Sequence, residues 1–333
     1  MDPVPIWLMR QAGRYLPEYR ALREEAGDFL TCANTPEIAT EITLQPIRRF
    51  AFDAAIVFSD ILIIPDAMGR NLRFAEGEGP LLDPLEGAGD VASLDPERVV
   101  PGNQPLMHTL GRVRAALDPD TALIGFAGAP FTLAAYMIDG RGGGDFPRTR
   151  DLMRDDADLL DRLLDVLSRA VAALLIGEID AGAQAVQLFD SWAGLLNGSA
   201  FDRWSIGPAR QIVAEVHAVR PGIPFIGFPR GAGDAYARYR AETGIDVLQI
   251  DQGVSLPAMA DLQRGGPIQG NLDPELLLAG GDALRAGARA ILDAAGEGPH
   301  VFNLGHGVIK ETPPDHVAEL VATVRGHHRE MPS

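Results

Sequence analysis

A single-domain α/β fold, a (β/α)8 barrel of the TIM type spanning residues 1–333, is predicted by three features of the chain. Eight short apolar runs alternate with stretches of helical period, no Gly/Ser linker or shift in composition divides them, and polar or turn residues recur just after the runs. The runs are 5–9, 54–59, 122–127, 185–189, 224–228, 247–250, 267–269 and 300–304. The intervening helices are predicted at 36–50, 104–116, 150–181, 201–219, 231–243, 256–263, 274–294 and 314–328. The best patterned is the long one, where Leu152, Leu159, Leu160, Leu163, Leu164, Val166, Leu167 and Val171 make an apolar stripe for packing against a sheet.

Periodicity alone also allows a doubly wound open sheet. The residues after the runs favour the barrel: Arg10, Asp60, Gly128 to Pro130, Asp190 and Ser191, Pro229 and Arg230, Asp251, Asn271 and His306. In a barrel they converge on one C-terminal mouth; in an open sheet they spread along an edge. Two regions break the rhythm. Residues 72–102, rich in Gly, Pro and acids, are expected to form a hairpin or long loop over one rim, and 139–147 contains Gly140, Gly142, Gly143 and Gly144, flexible enough for a lid.

The formal net charge of −17, with no basic stripe to offset it, argues against a nucleic-acid partner. Cys32 is the only cysteine, which excludes an intramolecular disulfide and a cysteine-based zinc cluster and fits a reducing compartment, with the cytoplasm as default. The N-terminus lacks the charged and apolar regions of a signal peptide, and no apolar run reaches the roughly 18 residues of a membrane span.

Against this acidity, residues 6–23 run from a strand-like segment into four arginines, Arg10, Arg14, Arg20 and Arg23. Arginines beside acids such as Glu18, Glu24 and Glu25 are ordinarily surface pairs, and Arg20 is read that way. Arg10 and Arg14 flank Gly13, which lets the backbone turn close to a ligand, so these two are expected to face an anion. Asp60 lies between two apolar runs, either as a structural hydrogen-bond hub or cap, or as an anion at a site centre; the second reading is favoured. The segment around Gly125, Gly128 and Thr132 has no lysine and is a poor nucleotide motif; it reads as a tight turn presenting Phe131 and, later, Tyr136. His306 sits between Gly305 and Gly307 just beyond the last run, with no companion ligands that would suggest a metal. His108 and His217 fall in helical stretches and read as structural, and His327 and His328 as solvent exposed.

Several segments carry a resemblance. Pro5-Ile6-Trp7-Leu8-Met9-Arg10-Gln11-Ala12-Gly13-Arg14-Tyr15 and Gly125-Phe126-Ala127-Gly128-Ala129-Pro130-Phe131-Thr132 resemble the two signatures of the uroporphyrinogen decarboxylases. Phe58-Ser59-Asp60, Phe189-Asp190-Ser191-Trp192, Gly270-Asn271-Leu272 and Asn303-Leu304-Gly305-His306-Gly307 also match, in the family's order, from residue 5 to about 320. The resemblance implies a cofactor-free barrel, a homodimer, that removes carboxyl groups from the four acetates of uroporphyrinogen III to give coproporphyrinogen III in haem biosynthesis. It implies catalytic roles for Asp60, Arg10, Tyr136 and His306, and a substrate site that adds Arg14, Arg23, Ser191 and, as apolar wall, Phe131. The family usually extends further before the first signature, in a segment that helps cover the site in some members; Gln252 and Arg230 stand where it more commonly has Trp and Lys.

For such a polycarboxylate, concentrated arginines must overcome global repulsion, which is screened beyond about 8 Å. Asp60 would accept the pyrrole N–H groups and offset a ring made cationic by protonation. The proton donor is open: the family pattern points to Arg10, whereas pKa matching favours His306 or Tyr136. A corrinoid-dependent methyltransferase and a silent tetrapyrrole carrier are the competing readings; one cysteine does not supply the first with its zinc thiolates.

Overall fold

The computed structural model describes residues 3–75 and 79–327. Seven parallel strands form one continuous sheet: β1 (Ala54–Ile56), β4 (Ala122–Gly128), β5 (Ala185–Asp190), β6 (Phe225–Pro229), β7 (Val247–Gln249), β8 (Ile268–Gln269) and β9 (His300–Val301), each hydrogen-bonded to the next. The eighth stave is the first apolar run, reduced to a single parallel bridge between Ile6 and Phe302. Asp53 closes the ring, its N–H donating to the Ile6 carbonyl at 3.0 Å and its Oδ2 accepting the Ile6 N–H at 2.7 Å. The structure is therefore a closed barrel, with the strand ends that carry Arg10, Asp60, Ser191, Arg230 and His306 gathered at one rim.

Inside the barrel lies a polar layer that the apolar periodicity does not announce. Trp7, Gln187, Gln249 and Gln269 are all essentially without solvent exposure. The Trp7 indole N–H donates to Gln269 Oε1 at 2.9 Å, and Gln269 Nε2 donates to Gln249 Oε1 at 2.8 Å and Gln187 Oε1 at 3.1 Å. Gln187 Nε2 donates to the same Gln249 oxygen. An amide both donates and accepts, so three glutamines satisfy one another where a lone polar side chain would carry a desolvation penalty.

Helices end earlier than periodicity predicts wherever a side chain or a glycine offers a better terminus. The predicted helix over 150–181 is two, Pro147–Asp155 and Ala157–Asp180, because the Asp156 carboxylate accepts the Leu159 N–H at 3.0 Å and caps the second. The predicted helix over 274–294 splits at Gly280, whose φ of 69° and whose packing beneath the His316 ring leave no room for a side chain. The stretch 202–206 winds as a π-turn between Gly198–Phe201 and Gly207–Val219, with the Gly207 N–H donating to the Asp202 carbonyl. This turn buries Trp204, Ser205 and Ile206 together.

The insertion at 72–102 contains an antiparallel pair, β2 (Arg73–Ala75) and β3 (Gly79–Leu81), followed by helices; residues 76–78 lie outside the described set, as does His328 at the expected end of the last helix, Pro314–Arg325. His327, expected to be exposed, has a side chain only 15% accessible that lies 3.4 Å from Asp293. His108 is exposed, and His217 accepts its structural role through Nε2 at 3.1 Å from the Ile223 carbonyl. No described helix is long and apolar enough to cross a membrane.

Glu178, on the inner face of Ala157–Asp180, is fully buried against Gly125. Burial pushes its carboxyl well above the ordinary range, opposed only by the Phe126 N–H. A folded-state pKa raised above the unfolded value means that stability falls as pH rises from the unfolded pKa through the folded one. Glu178→Gln, a neutral isostere, is therefore expected to raise Tm by a few degrees at alkaline pH, with the gain shrinking toward acid pH. Thermal melts across that range check this, and a gain independent of pH would contradict it.

Candidate active site at the barrel mouth

Arg10 ends the first stave in a tight turn. The Gln11 N–H donates to the Leu8 carbonyl at 2.9 Å, and the buried Gln11 side chain ties the turn down, accepting the Leu8 N–H at 3.1 Å and donating to the Ala54 carbonyl at 3.0 Å. The residue with left-handed backbone is Arg10 itself, at φ 61°, and not Gly13, to which the sequence reading gave the turn. Type II turns reserve this third position for glycine, and a side chain there costs about 1–2 kcal/mol. The strain is held by neighbours on both sides: Met9 N–H donates to Asn303 Oδ1 and Met9 O accepts the Val308 N–H, each at 2.9 Å. The Arg10 side chain then lies across Gly307, where a Cβ would fall 2.3 Å from Arg10 Cδ.

Asp60 follows β1 at the same rim and is half-buried. Its Oδ1 accepts the Leu62 N–H at 2.8 Å, a local turn contact rather than a cap on the helix Ile63–Ala67, and Oδ2 accepts no hydrogen bond from the described residues. Burial raises its pKa, opposed by that N–H and by the charge of Arg10. Tyr136, on the helix Pro130–Asp139 that starts directly after β4, completes the group: its phenol is raised by burial first and by the Asp60 charge second. Phe131, expected as an apolar wall, has no exposed surface and belongs to the core.

The glycine-rich segment reaches this group. Gly142 lies on the Tyr136 ring, and a Cβ there would sit 2.5 Å from the phenolic oxygen. Phe146 stacks edge-on against Trp192 with centroids 4.8 Å apart, and both contact Tyr136. The far end of the segment is pinned by Asp139, which accepts the Thr149 N–H at 3.0 Å and its hydroxyl at 2.6 Å. Gly142→Ala is expected to displace Tyr136 and lower activity at least tenfold with little loss of Tm; unchanged kinetics would show that the segment yields without moving the phenol.

His306 is held by close approach on two sides, with Arg10 over Gly307 and the Asp251–Gln252 backbone against Gly305, where a Cβ would fall 2.2 Å from Gln252 N. Burial, then the positive charges of Arg10 and Arg230, push its pKa down to about 3, with Asp251 opposing. These influences disfavour the charged imidazole, and Tyr136 is shifted upward, so both shifts run against the simple pKa matching that favoured these two as proton donor.

Ser191 stands half-buried at the end of β5, on a backbone fixed by its neighbour Asp190. That carboxylate, buried and pushed up to about 6, accepts the Thr132 and Ser205 hydroxyls at 2.7 Å each, and Thr132 accepts the Trp192 N–H at 3.1 Å. Trp192 and Asp190 are placed at the mouth by sequence, but that they and Phe146 support Tyr136 and Ser191 is visible only in the structure. Asp190 was visible as a polar end to an apolar run, but its hydroxyl partners come from distant segments.

Arg14 and Arg23 both act on Tyr19, whose ring packs against Phe58, two residues before Asp60. Arg23 Nη1 is buried without an acceptor. Arg20 is structural, donating to the Arg14 and Tyr15 carbonyls at 2.8 and 3.1 Å, and Glu18 pairs with Arg49 at 3.1 Å. Among the described residues no carboxylate lies within ion-pair distance of Arg10, Arg14 or Arg23, although most other arginines of the chain have one. Cys32 is fully buried in the helix Phe29–Asn34, its thiol pushed up by burial, and offers no thiolate to the mouth.

Comparison with known proteins places this geometry. The fold is shared with a methyltransferase from Methanosarcina mazei at a TM-score of 0.76, with 19% identity over 97% of this chain and 94% of that one. A B12-independent methionine synthase from Shewanella sp. W3-18-1 gives a TM-score of 0.53 and 10% identity over 97% and 93%. In sequence the chain is 56% identical to the uroporphyrinogen decarboxylase of Gluconacetobacter diazotrophicus over 97% of this chain and 94% of that one. It is 53% identical to that of Chelativorans sp., again over 97% and 94%. The family model for uroporphyrinogen decarboxylase matches residues 1–327, and the chain belongs to that family.

Proposed function

We propose that the barrel mouth binds uroporphyrinogen III and decarboxylates its four acetate side chains to methyl groups, giving coproporphyrinogen III. As a family member the chain is a carboxy-lyase of haem biosynthesis. One observation carries the assignment to this site: the half-buried Asp60, whose Oδ2 accepts no hydrogen bond from the described residues, lies within reach of the Arg10 charge and of the Tyr136 phenol, and Arg10 has no ion-paired acid among the described residues.

Loss of carbon dioxide from a pyrrole acetate leaves an electron pair that needs a sink. Protonation of the adjacent ring carbon provides one, since the cationic ring takes up the pair as the bond breaks; the exocyclic methylene left behind then takes a proton to become the methyl group, and the ring carbon gives up its added proton to restore the pyrrole. Asp60 Oδ2 is free to accept pyrrole N–H groups and to stabilise that cation, and Arg10, Arg14 and Arg23 bind carboxylates at the rim. Tyr136 supplies a phenolic hydrogen bond and Ser191 a hydroxyl. A substrate carboxylate beside Arg10 would offset one of the influences that hold the His306 pKa down, while burial, the largest, remains. The working form is proposed to be a cytoplasmic homodimer that needs no added cofactor.

Anaerobic incubation of the purified protein with uroporphyrinogen III should show stepwise loss of four carboxyl groups, followed by chromatography of the oxidised products. Failure to consume the compound would overturn the reading. Sedimentation of the same sample measures the oligomeric state.

A further inference from the structure

Arg230 follows β6, the fifth stave counted from the run that ends in Arg10, and so stands across the mouth from it. Its backbone is clamped at both ends. The Arg230 N–H donates to the Asp190 carbonyl at 3.1 Å, and its carbonyl accepts the Gly194 N–H at 2.9 Å. The next N–H, on Gly231, donates to Asp251 Oδ2 at 2.6 Å. Gly194 and Gly231 touch backbone to backbone, with a Cβ on either falling 3.1 to 3.2 Å from the other's Cα, so this corner cannot spread to accommodate a different path.

The side chain on this clamped backbone is half-buried. Among the described residues it has neither an ion pair nor a side-chain hydrogen bond. Asp251, the acid joined to the next residue, is fully engaged: Oδ2 also accepts the Tyr236 hydroxyl at 2.6 Å, and Oδ1 accepts the Gly253 N–H at 2.7 Å. The Arg230 charge nevertheless reaches His306 at the mouth. A half-buried guanidinium on a rigid corner, denied an internal acid, is arranged for an external anion.

We infer that Arg230 is a further substrate-binding residue, gripping a carboxylate of the macrocycle on the side opposite Arg10. This rests on the proposed function above. Because Arg10 stands beside Asp60, where the reacting acetate is placed, the Arg230 contact belongs to a carboxylate distant from the breaking bond. It should therefore govern binding more than the chemical step.

The test compares wild type, Arg230→Lys and Arg230→Gln under anaerobic conditions. Initial rates with uroporphyrinogen III are combined with titrations of uroporphyrinogen and coproporphyrinogen followed by tryptophan fluorescence. Arg230→Gln should raise KM and Kd tenfold or more with kcat changed less than threefold, and Arg230→Lys, which keeps the charge, should recover most of the loss. Weakened binding of both compounds assigns a propionate as the partner, since coproporphyrinogen retains only those; weakening confined to uroporphyrinogen assigns an acetate. Unchanged KM and Kd in Arg230→Gln, a lysine variant as impaired as the glutamine one, or a glutamine variant that fails to fold would each overturn the inference. Wild-type turnover is read separately: its absence defeats the proposed activity, while the titrations still report on Arg230.

Discussion

Asp60→Ala is expected to lower kcat by on the order of a hundredfold to a thousandfold while leaving the barrel folded. Asp60→Asn should do nearly as badly, because the amide keeps the shape and the acceptor oxygen but not the negative charge that offsets a cationic ring. The fold should survive because only Oδ1 serves the chain, through the Leu62 N–H, and the site lies at the rim rather than among the buried glutamines below it. Near-normal turnover in either variant would remove Asp60 from the mechanism. The acid limb of the wild-type profile gives an independent reading. Since burial raises the Asp60 pKa, activity that needs the carboxylate should fall away at a higher pH than an exposed aspartate would give.

Arg10→Ala is expected to reduce kcat/KM by about a hundredfold, the loss of a charge-assisted contact of roughly 1.5–3 kcal/mol to a carboxylate. It should also displace the acid limb upward, because the Arg10 charge is one of the two influences that hold the Asp60 pKa down. A variant with lowered activity and an unmoved acid limb would show that Arg10 binds substrate without tuning Asp60. The backbone supplies a second measurement. Arg10→Gly and Arg10→Ala remove the same side-chain functions, but at φ 61° only glycine is relaxed, so the glycine variant should be the more stable by about 1 kcal/mol in denaturant unfolding. Equal stabilities would mean that the turn opens when the guanidinium is lost. A strained position occupied by an arginine where glycine fits best is what selection for function at the expense of stability would leave.

The sequence by itself determined an alternation of strands and helices with polar residues at the strand ends, which favoured a barrel over an open sheet. Alternation of apolar runs and helical stretches follows from burial on both faces of each strand, and the polar residues after the runs follow from the need to end a buried strand at solvent. The pattern located Arg10, Asp60 and His306 at strand ends and Tyr136 in the helix after β4, but only the family resemblance grouped the four as one proposed site. Arg20 was legible as structural, but its partners were not: it donates to the carbonyls of Arg14 and Tyr15 a few residues away rather than pairing with a nearby acid.

What the tertiary structure alone decided are properties that depend on partners distant in sequence. Whether Arg10 or Gly13 takes the left-handed turn is set by Asn303 and Val308, nearly three hundred residues away, which grip Met9 from the last stave. Phe131 and Tyr136 lie on one short helix, yet Phe131 is sealed in the core while Tyr136 packs against Gly142 and Trp192 within reach of the Asp60 charge. The glutamine layer, the depressed pKa of His306 and the unpaired charge of Arg230 among the described residues have the same origin. Hydrogen bonding, desolvation and charge act through space over a few ångströms, and only the closed barrel brings the eight strand ends within that range.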